Sequence, residues 1–275
     1  MLVIGKINRL KINNITREGA YLAAEGGELF LPGAELSAAF MPGESVEVFI
    51  YPDSEGRLVA TTLTPKAQVG EFALMEVKDN CRFGAFLDWG LGKDLLVPFS
   101  EQPEPMKKGE KYVVRVYLDK SGRIAASAKI GRFLEETGAS LQEGDEVELM
   151  IYEFTDLGAK VIINNRYTGV LFRDELYGKP APGEKLTGFV KKIRDDQKID
   201  VTLRKAGSND VVEARAKILK ALAENGGFLP LNDKSSPELI AEVVLMSKKT
   251  FKKAVGGLYK DGLIVLTAEG ITLRG

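Results

Sequence analysis

Three stretches of the chain carry the same signals in the same order, and this repetition constrains the fold more than any single motif. The first runs Gly19-Ala20-Tyr21-Leu22, Leu29-Phe30-Leu31-Pro32, Met41-Pro42-Gly43-Glu44 and Val46 to Tyr51, then Asp53-x-x-Gly56-Arg57 before Leu58-Val59-Ala60. The second runs Gly84-Ala85-Phe86-Leu87, Leu95-Leu96-Val97-Pro98, Lys107-Lys108-Gly109-Glu110 and Tyr112 to Leu118, then Asp119-x-x-Gly122-Arg123 before Ile124-Ala125-Ala126. The third is more distant: Gly158-Ala159-Lys160-Val161, Gly169-Val170-Leu171-Phe172, Pro182-Gly183-Glu184, Gly188-Phe189-Val190 and Gln197 to Leu203. A fixed order of this kind marks one structural unit used repeatedly. The alternation in Val46-Glu47-Val48 and Val147-Glu148-Leu149 has the period of a strand. Gly-Glu before each fourth apolar run is a turn signal, and Asp-x-x-Gly-Arg between apolar runs reads as a hairpin turn. Each unit therefore predicts five short strands, which remove their exposed edges by closing into a small barrel.

The texture changes at Ala206 to Asp210, which has linker composition, with Asn209 or Asp210 suited to cap a helix. Helical spacing follows over Val211 to Asn225, then a short strand near Phe228 to Leu231. Ser236-Pro237-Glu238 starts a second helix, and Ser247 caps a third over Lys248 to Lys260, although Gly256-Gly257 weakens its second half. Two strands, Leu263–Leu266 and Gly270–Leu273, complete a helix-turn-helix with a wing. The predicted architecture is mostly β with a C-terminal α+β domain. Its parts are barrels over 1–64, 65–134 and 141–205 and a winged helix over 211–275.

Composition removes several chemistries. The chain has 275 residues, no histidine and a single cysteine, Cys81. Imidazole-based triads, zinc sites with His or four-Cys ligation, and internal disulfides are thereby excluded. With no base for its thiol, Cys81 reads as a structural thiol of a reducing compartment. Asp94, Asp119, Asp195 and Asp196 sit at turn positions, which argues against a hydrolase. No catalytic residue, metal or cofactor is expected. No apolar run is long enough to span a bilayer, and MLVIGKINRL reads as a strand instead of a signal peptide, so a cytoplasmic location is expected. Net charge is −1 and pI about 5.9, so any nucleic-acid surface must be a local patch.

The best candidate for such a patch lies in Cys81 to Glu101. Phe83 and Phe86 flank Gly84-Ala85, and they share a face only if a bulge at Gly84 intervenes. Two aromatics there are either core or a platform on which bases stack. The repeat favours the platform, because Glu18 and Lys160 occupy corresponding slots and a purely structural slot would stay apolar. Arg123 suits phosphate contact or stacking, and Asp119 suits a base edge or a 2′-OH; both also fit a plain turn. In the last helix, Lys248, Lys249, Lys252 and Lys253 form a basic face. Lys makes phosphate contacts without reading bases, so DNA binding is possible there but less expected than RNA binding.

Phe83-Gly84-Ala85-Phe86, the glycine-rich turn after it, Leu95 to Ser100 and Asp119 to Arg123 resemble an S1 RNA-binding domain, an OB-fold module. The resemblance implies RNA contacts at Phe83, Phe86, Asp119 and Arg123, with Pro98 standing where the family has His. In the first copy it implies Tyr21, Asp53 and Arg57, with Glu18 and Pro32 as departures. In the third it implies Leu157 and Lys160 at the aromatic slots, Phe172 at the His slot, Arg194 at the Asp slot and Lys198 at the Arg slot. Three S1-like repeats followed by a winged helix resemble the conserved virulence factor B (CvfB) family over essentially the whole chain. That resemblance implies a cytoplasmic RNA-binding regulator of gene expression that contacts single-stranded RNA without catalysis. The alternative is a protein-interaction scaffold, which the acidic pI and the incomplete first and third platforms would suit.

Overall fold

Alternating apolar residues close each repeat on itself in the computed structural model, which describes all residues except 1, 38–39, 54, 139, 177–179, 206–209 and 275. Barrel 1 consists of β1 (Ile7–Ile15), β2 (Gly19–Ala24), β3 (Gly27–Pro32), β4 (Ser45–Pro52) and β5 (Leu58–Thr61), in the order β3-β2-β1-β4-β5 with β3 lying against β5. Barrel 2 repeats that path with β6 (Phe72–Cys81), β7 (Gly84–Leu87), β8 (Leu95–Pro98), β9 (Lys111–Leu118) and β10 (Ile124–Ser127). Barrel 3, with β11 (Glu146–Thr155), β12 (Gly158–Ile163), β13 (Tyr167–Phe172), β14 (Lys185–Ile193) and β15 (Ile199–Thr202), is closed by parallel pairing of β13 with β15. The inward residues are small and branched: Ile12, Leu22, Leu31 and Ile50 in barrel 1, Leu149, Val161 and Leu171 in barrel 3.

The first strand of every barrel serves two sheets and bends at a bulge. Register shifts fall between Ile12 and Asn14, Val77 and Asp79, and Ile151 and Glu153. The Gly of each Gly-Glu signal clamps that bend. Gly43, Gly109 and Gly183 take positive φ and donate N–H to Ile12 O (2.7 Å), Val77 O (2.8 Å) and Ile151 O (2.7 Å). The bulge expected at Gly84 is therefore in β6. Gly84 is required for another reason: a Cβ there would lie 2.1 Å from Val97 O, as one at Gly158 would lie 2.2 Å from Leu171 O.

Barrels 1 and 2 are joined by packing. Phe49 points out of barrel 1 and meets Trp89 edge-on at 5.3 Å, within the core of barrel 2. Trp89 is 2% exposed and donates Nε1–H to Ala67 O at 2.7 Å. Lys93 Nζ donates to the carbonyls of Pro52 and Asp53, each at 3.0 Å, and Ile7 N to Gln68 Oε1 at 2.9 Å. Residues 1–134 thus form one compact unit and 135–275 a second. The helical turn expected over Arg132–Glu136 is a 3₁₀ turn at Ile130–Phe133. It ends where Leu134 becomes extended and Glu135 bridges to Tyr167.

The winged helix comprises α1 (Asp210–Glu224), β16 (Phe228–Leu229), α2 (Pro237–Val244), α3 (Lys248–Lys260), β17 (Ile264–Leu266) and β18 (Ile271–Leu273) around Ile218, Leu222, Ile240, Phe251 and Leu258. Ser236 and Ser247 cap α2 and α3 by accepting from Leu239 N (3.2 Å) and Thr250 N (3.1 Å). α3 runs unbroken through Gly256-Gly257, because burial of Val255 and Leu258 holds the turn on either side. The linker at 206–209, including the Asn209 cap, lies outside the described residues.

Candidate nucleic-acid interface

Strand alternation sends one row of side chains outward across the first three strands of each barrel. In barrel 2 the row is Asp79–Phe86–Leu96, neighbours in register, while Ala85, Leu87, Leu95 and Val97 face the core. Phe86 is half-buried. Phe83 is off the strand, in the two-residue turn Arg82-Phe83 between paired Cys81 and Gly84. It is 59% exposed, and the Arg82 guanidinium lies 4.6 Å from its ring centroid. Phe83 O accepts from Phe99 N at 3.1 Å, which sets Phe99, 53% exposed, beside the same turn. Phe99 was not among the residues the sequence singled out. Cys81, half-buried, accepts weakly from Phe83 N at 3.4 Å.

The Asp119–Arg123 turn has a structural task of its own. Asp119 Oδ1 accepts from Ser121 Oγ (2.6 Å), Ser121 N (2.8 Å) and Arg123 N (2.9 Å), and Oδ2 from Arg123 Nε (3.3 Å). The Ser121 hydroxyl, and then the Arg123 amide, hold its carboxyl at about 2. The carboxylate expected to meet a base edge thus organises the turn, while Arg123, its side chain 78% exposed, stays open to solvent. Barrel 1 repeats the device, with Asp53 gripping Arg57 through Nε (3.0 Å) and an η nitrogen (2.9 Å), and with Glu55 also on Arg57.

Barrel 1 keeps an aromatic row, Asn14–Tyr21–Phe30, where the sequence had pointed to Tyr21 alone. The alternation in Leu29-Phe30-Leu31, with both leucines buried, was the signal that placed Phe30 outside. Barrel 3 has Glu153–Lys160–Val170, closed by a 2.9 Å ion pair. Its aromatic feature is Phe172, half-buried, with Lys191 Nζ and the Arg194 guanidinium 6.0 and 5.6 Å from the ring centroid. Glu175 holds Lys191 at 2.9 Å and Asp200 holds Arg194 at 2.7 Å. Lys198, expected at this site, pairs with Asp196 of its own turn at 3.4 Å.

On α3, Lys249, Lys252 and Lys253 are exposed together with Tyr259. Lys248 leaves the expected basic face: it is half-buried and donates Nζ–H to Ser235 O at 2.8 Å, tying the start of α3 to the turn before α2. Among the described residues no helix is long and apolar enough to cross a membrane.

The sequence pattern of the S1 domain matches residues 4–63 and 69–129, the first two barrels, and that of the CvfB-like winged helix domain matches 216–273. The chain is 28% identical over 263 residues to the uncharacterized protein YitL of Bacillus subtilis, covering 93% of this chain and 88% of that one. It is 28% identical over 239 residues to conserved virulence factor B of Staphylococcus aureus, covering 84% and 80%. A crystal structure described as a multidomain protein with nucleic acid binding domains from Streptococcus pneumoniae is 28% identical, covers 98% of both chains and superposes with a TM-score of 0.46. Two S1 domains, a third barrel of the same strand path and a CvfB-like winged helix domain thus follow one another in this chain, which over most of its length is similar to conserved virulence factor B.

Proposed function

We propose that this protein binds single-stranded RNA without catalysis and regulates gene expression in the cytoplasm. The observation that carries the reading is the outer surface of barrel 2, where Phe83, beside Arg82, and Phe99 are exposed and Phe86 is half-buried. An exposed aromatic surface flanked by a guanidinium accepts base faces and phosphates together. Support comes from the S1 pattern, which spans both of the first two barrels. Bases stack on Phe86 and Phe83, while Arg82 and Arg123 meet phosphates.

Fluorescence anisotropy with labelled single-stranded RNA tests it. Phe83→Ala with Phe86→Ala should weaken binding about tenfold or more, given the free energy of stacking per base. Unchanged affinity with retained circular dichroism removes barrel 2 as the site. The winged helix favours a second reading, protein contact, because Tyr259, Leu263, Val265 and Leu266 are all exposed. Partners that co-purify after nuclease treatment and are lost on Tyr259→Ala would favour it.

A further inference from the structure

Helix α2 carries two apolar ridges, and only one of them is used by the core. Ile240 and Val244, four residues apart, are buried in the winged helix. Leu239 and Val243, also four apart, lie beside them and are 42% and 38% exposed. Residues four apart stand one above the other on a helix, so this pair is a second ridge of the kind that packs between helices. It stays open to solvent. Glu238 and Glu242 form the next stripe round the helix, and both are exposed. α2 contains no lysine or arginine. Glu242 has no ion pair among the described residues.

Leu245, directly after the helix, is an independent observation. It takes the left-handed conformation (φ 51°, ψ 45°), with its N–H on Ala241 O at 3.1 Å. Glycine or asparagine fills such a place at least cost, because a Cβ crowds the backbone there. Here it is a leucine, 51% exposed. A large apolar side chain thus sits where the backbone disfavours it and the core does not bury it.

The charges decide the kind of partner. Carboxylates beside the ridge repel a phosphodiester chain, whereas Lys249, Lys252 and Lys253 on α3 attract one. An apolar ridge edged by carboxylates is complementary to an apolar groove edged by lysine or arginine. A ridge of residues four apart fits the matching groove of another helix.

We propose that the exposed side of α2, Leu239, Val243 and Leu245 edged by Glu238 and Glu242, docks a cationic amphipathic helix of a protein partner. The surface is independent of the RNA-binding reading above, because the two share no residue.

The probe is a synthetic helical peptide with leucines along one face and lysines on either side, added to the full chain. A second peptide carries glutamates in place of the lysines. The lysine peptide should bind and shift the amide resonances of α2, and the glutamate peptide should not. Leu239→Ala with Val243→Ala should weaken the lysine peptide about tenfold or more, since apolar contact area is lost. Both positions are exposed, so thermal unfolding should stay nearly unchanged. Leu245→Gly should weaken the peptide with an equal or higher unfolding temperature, a combination that a purely structural leucine would not give. Glu242→Lys should weaken the lysine peptide and admit the glutamate peptide. Equal binding of both peptides, or resonance shifts confined to other elements, overturns the proposal. So does a dimer in sedimentation that Leu239→Ala with Val243→Ala converts to monomer, which makes a second copy the occupant. Oligouridine that shifts the α2 resonances and leaves those of α3 in place overturns it in favour of nucleic acid.

Discussion

Asp119 shows how one side chain can be read correctly for position and differently for task. Its four accepted hydrogen bonds stabilise the ionised form, so its pKa falls from an ordinary 3.8 to about 2. The folded value lies below the unfolded one. The carboxylate therefore contributes stability that is fully present above about pH 4 and lost as pH falls toward 2. Removing the hydroxyl with Ser121→Ala should move the Asp119 carboxyl upward, visible in an NMR titration of its side-chain carbon, and should flatten the acid limb of unfolding in that window. An unmoved titration would show that the Arg123 contacts alone hold the carboxylate. Because the turn lies at the surface and Arg123 is exposed, solvent screens the pair and the stability change should be small.

At the scale of elements, the hairpin β7–β8 depends on close approach of two backbones. A Cβ at Gly84 would meet Val97 O at 2.1 Å and Pro98 Cα at 2.9 Å, both rigid, whereas one at Gly92 meets nothing within 4 Å. Gly84→Ala should therefore cost about 1–3 kcal/mol in urea unfolding, with Gly92→Ala near neutral. Equal costs would remove the close approach as the cause. Helix α3 separates its lysines in the same physical way. Lys248 is tied to Ser235 O, while Lys252 and Lys253 project freely. If α3 meets nucleic acid, Lys252→Gln with Lys253→Gln should reduce the slope of log affinity against log salt by about 0.7 for each single-strand phosphate left without its lysine. Lys248→Gln should lower stability and leave the slope alone.

For the whole molecule, the junction of the first two barrels has its own reporter. The chain has one tryptophan, and it is the residue packed against Phe49. Phe49→Ala should cost about 3–5 kcal/mol and shift Trp89 emission to the red as water reaches the indole. Emission that stays blue would mean that barrel 2 encloses Trp89 without help from barrel 1. The corresponding outward position on β9 is Arg115, whose guanidinium lies 5.1 Å from the Phe72 ring centroid and 4.9 Å from that of Phe133. Thus the same barrel position, held by an aromatic in one copy and a cation in the other, is covered in both by an aromatic of a following segment.

By itself the sequence determined the repeated barrels, their turns and the winged helix, because those depend on local period, glycine placement and capping. It favoured an outward Phe86 only through the repeat, since Lys160 holds the corresponding slot. Only the tertiary structure decided what meets across the strands. The bulge lies in β6 and not at Gly84, so Phe83 sits on a turn. Phe30 stands opposite Tyr21, and Lys191 and Arg194, not Lys198, flank Phe172. Trp89 covers Phe49, a residue of the preceding barrel. Periodicity tells which side of a strand a residue occupies. It carries no information about the register of distant partners or about which outward positions another part of the chain will cover, and those two facts separate a packed junction from an open binding surface.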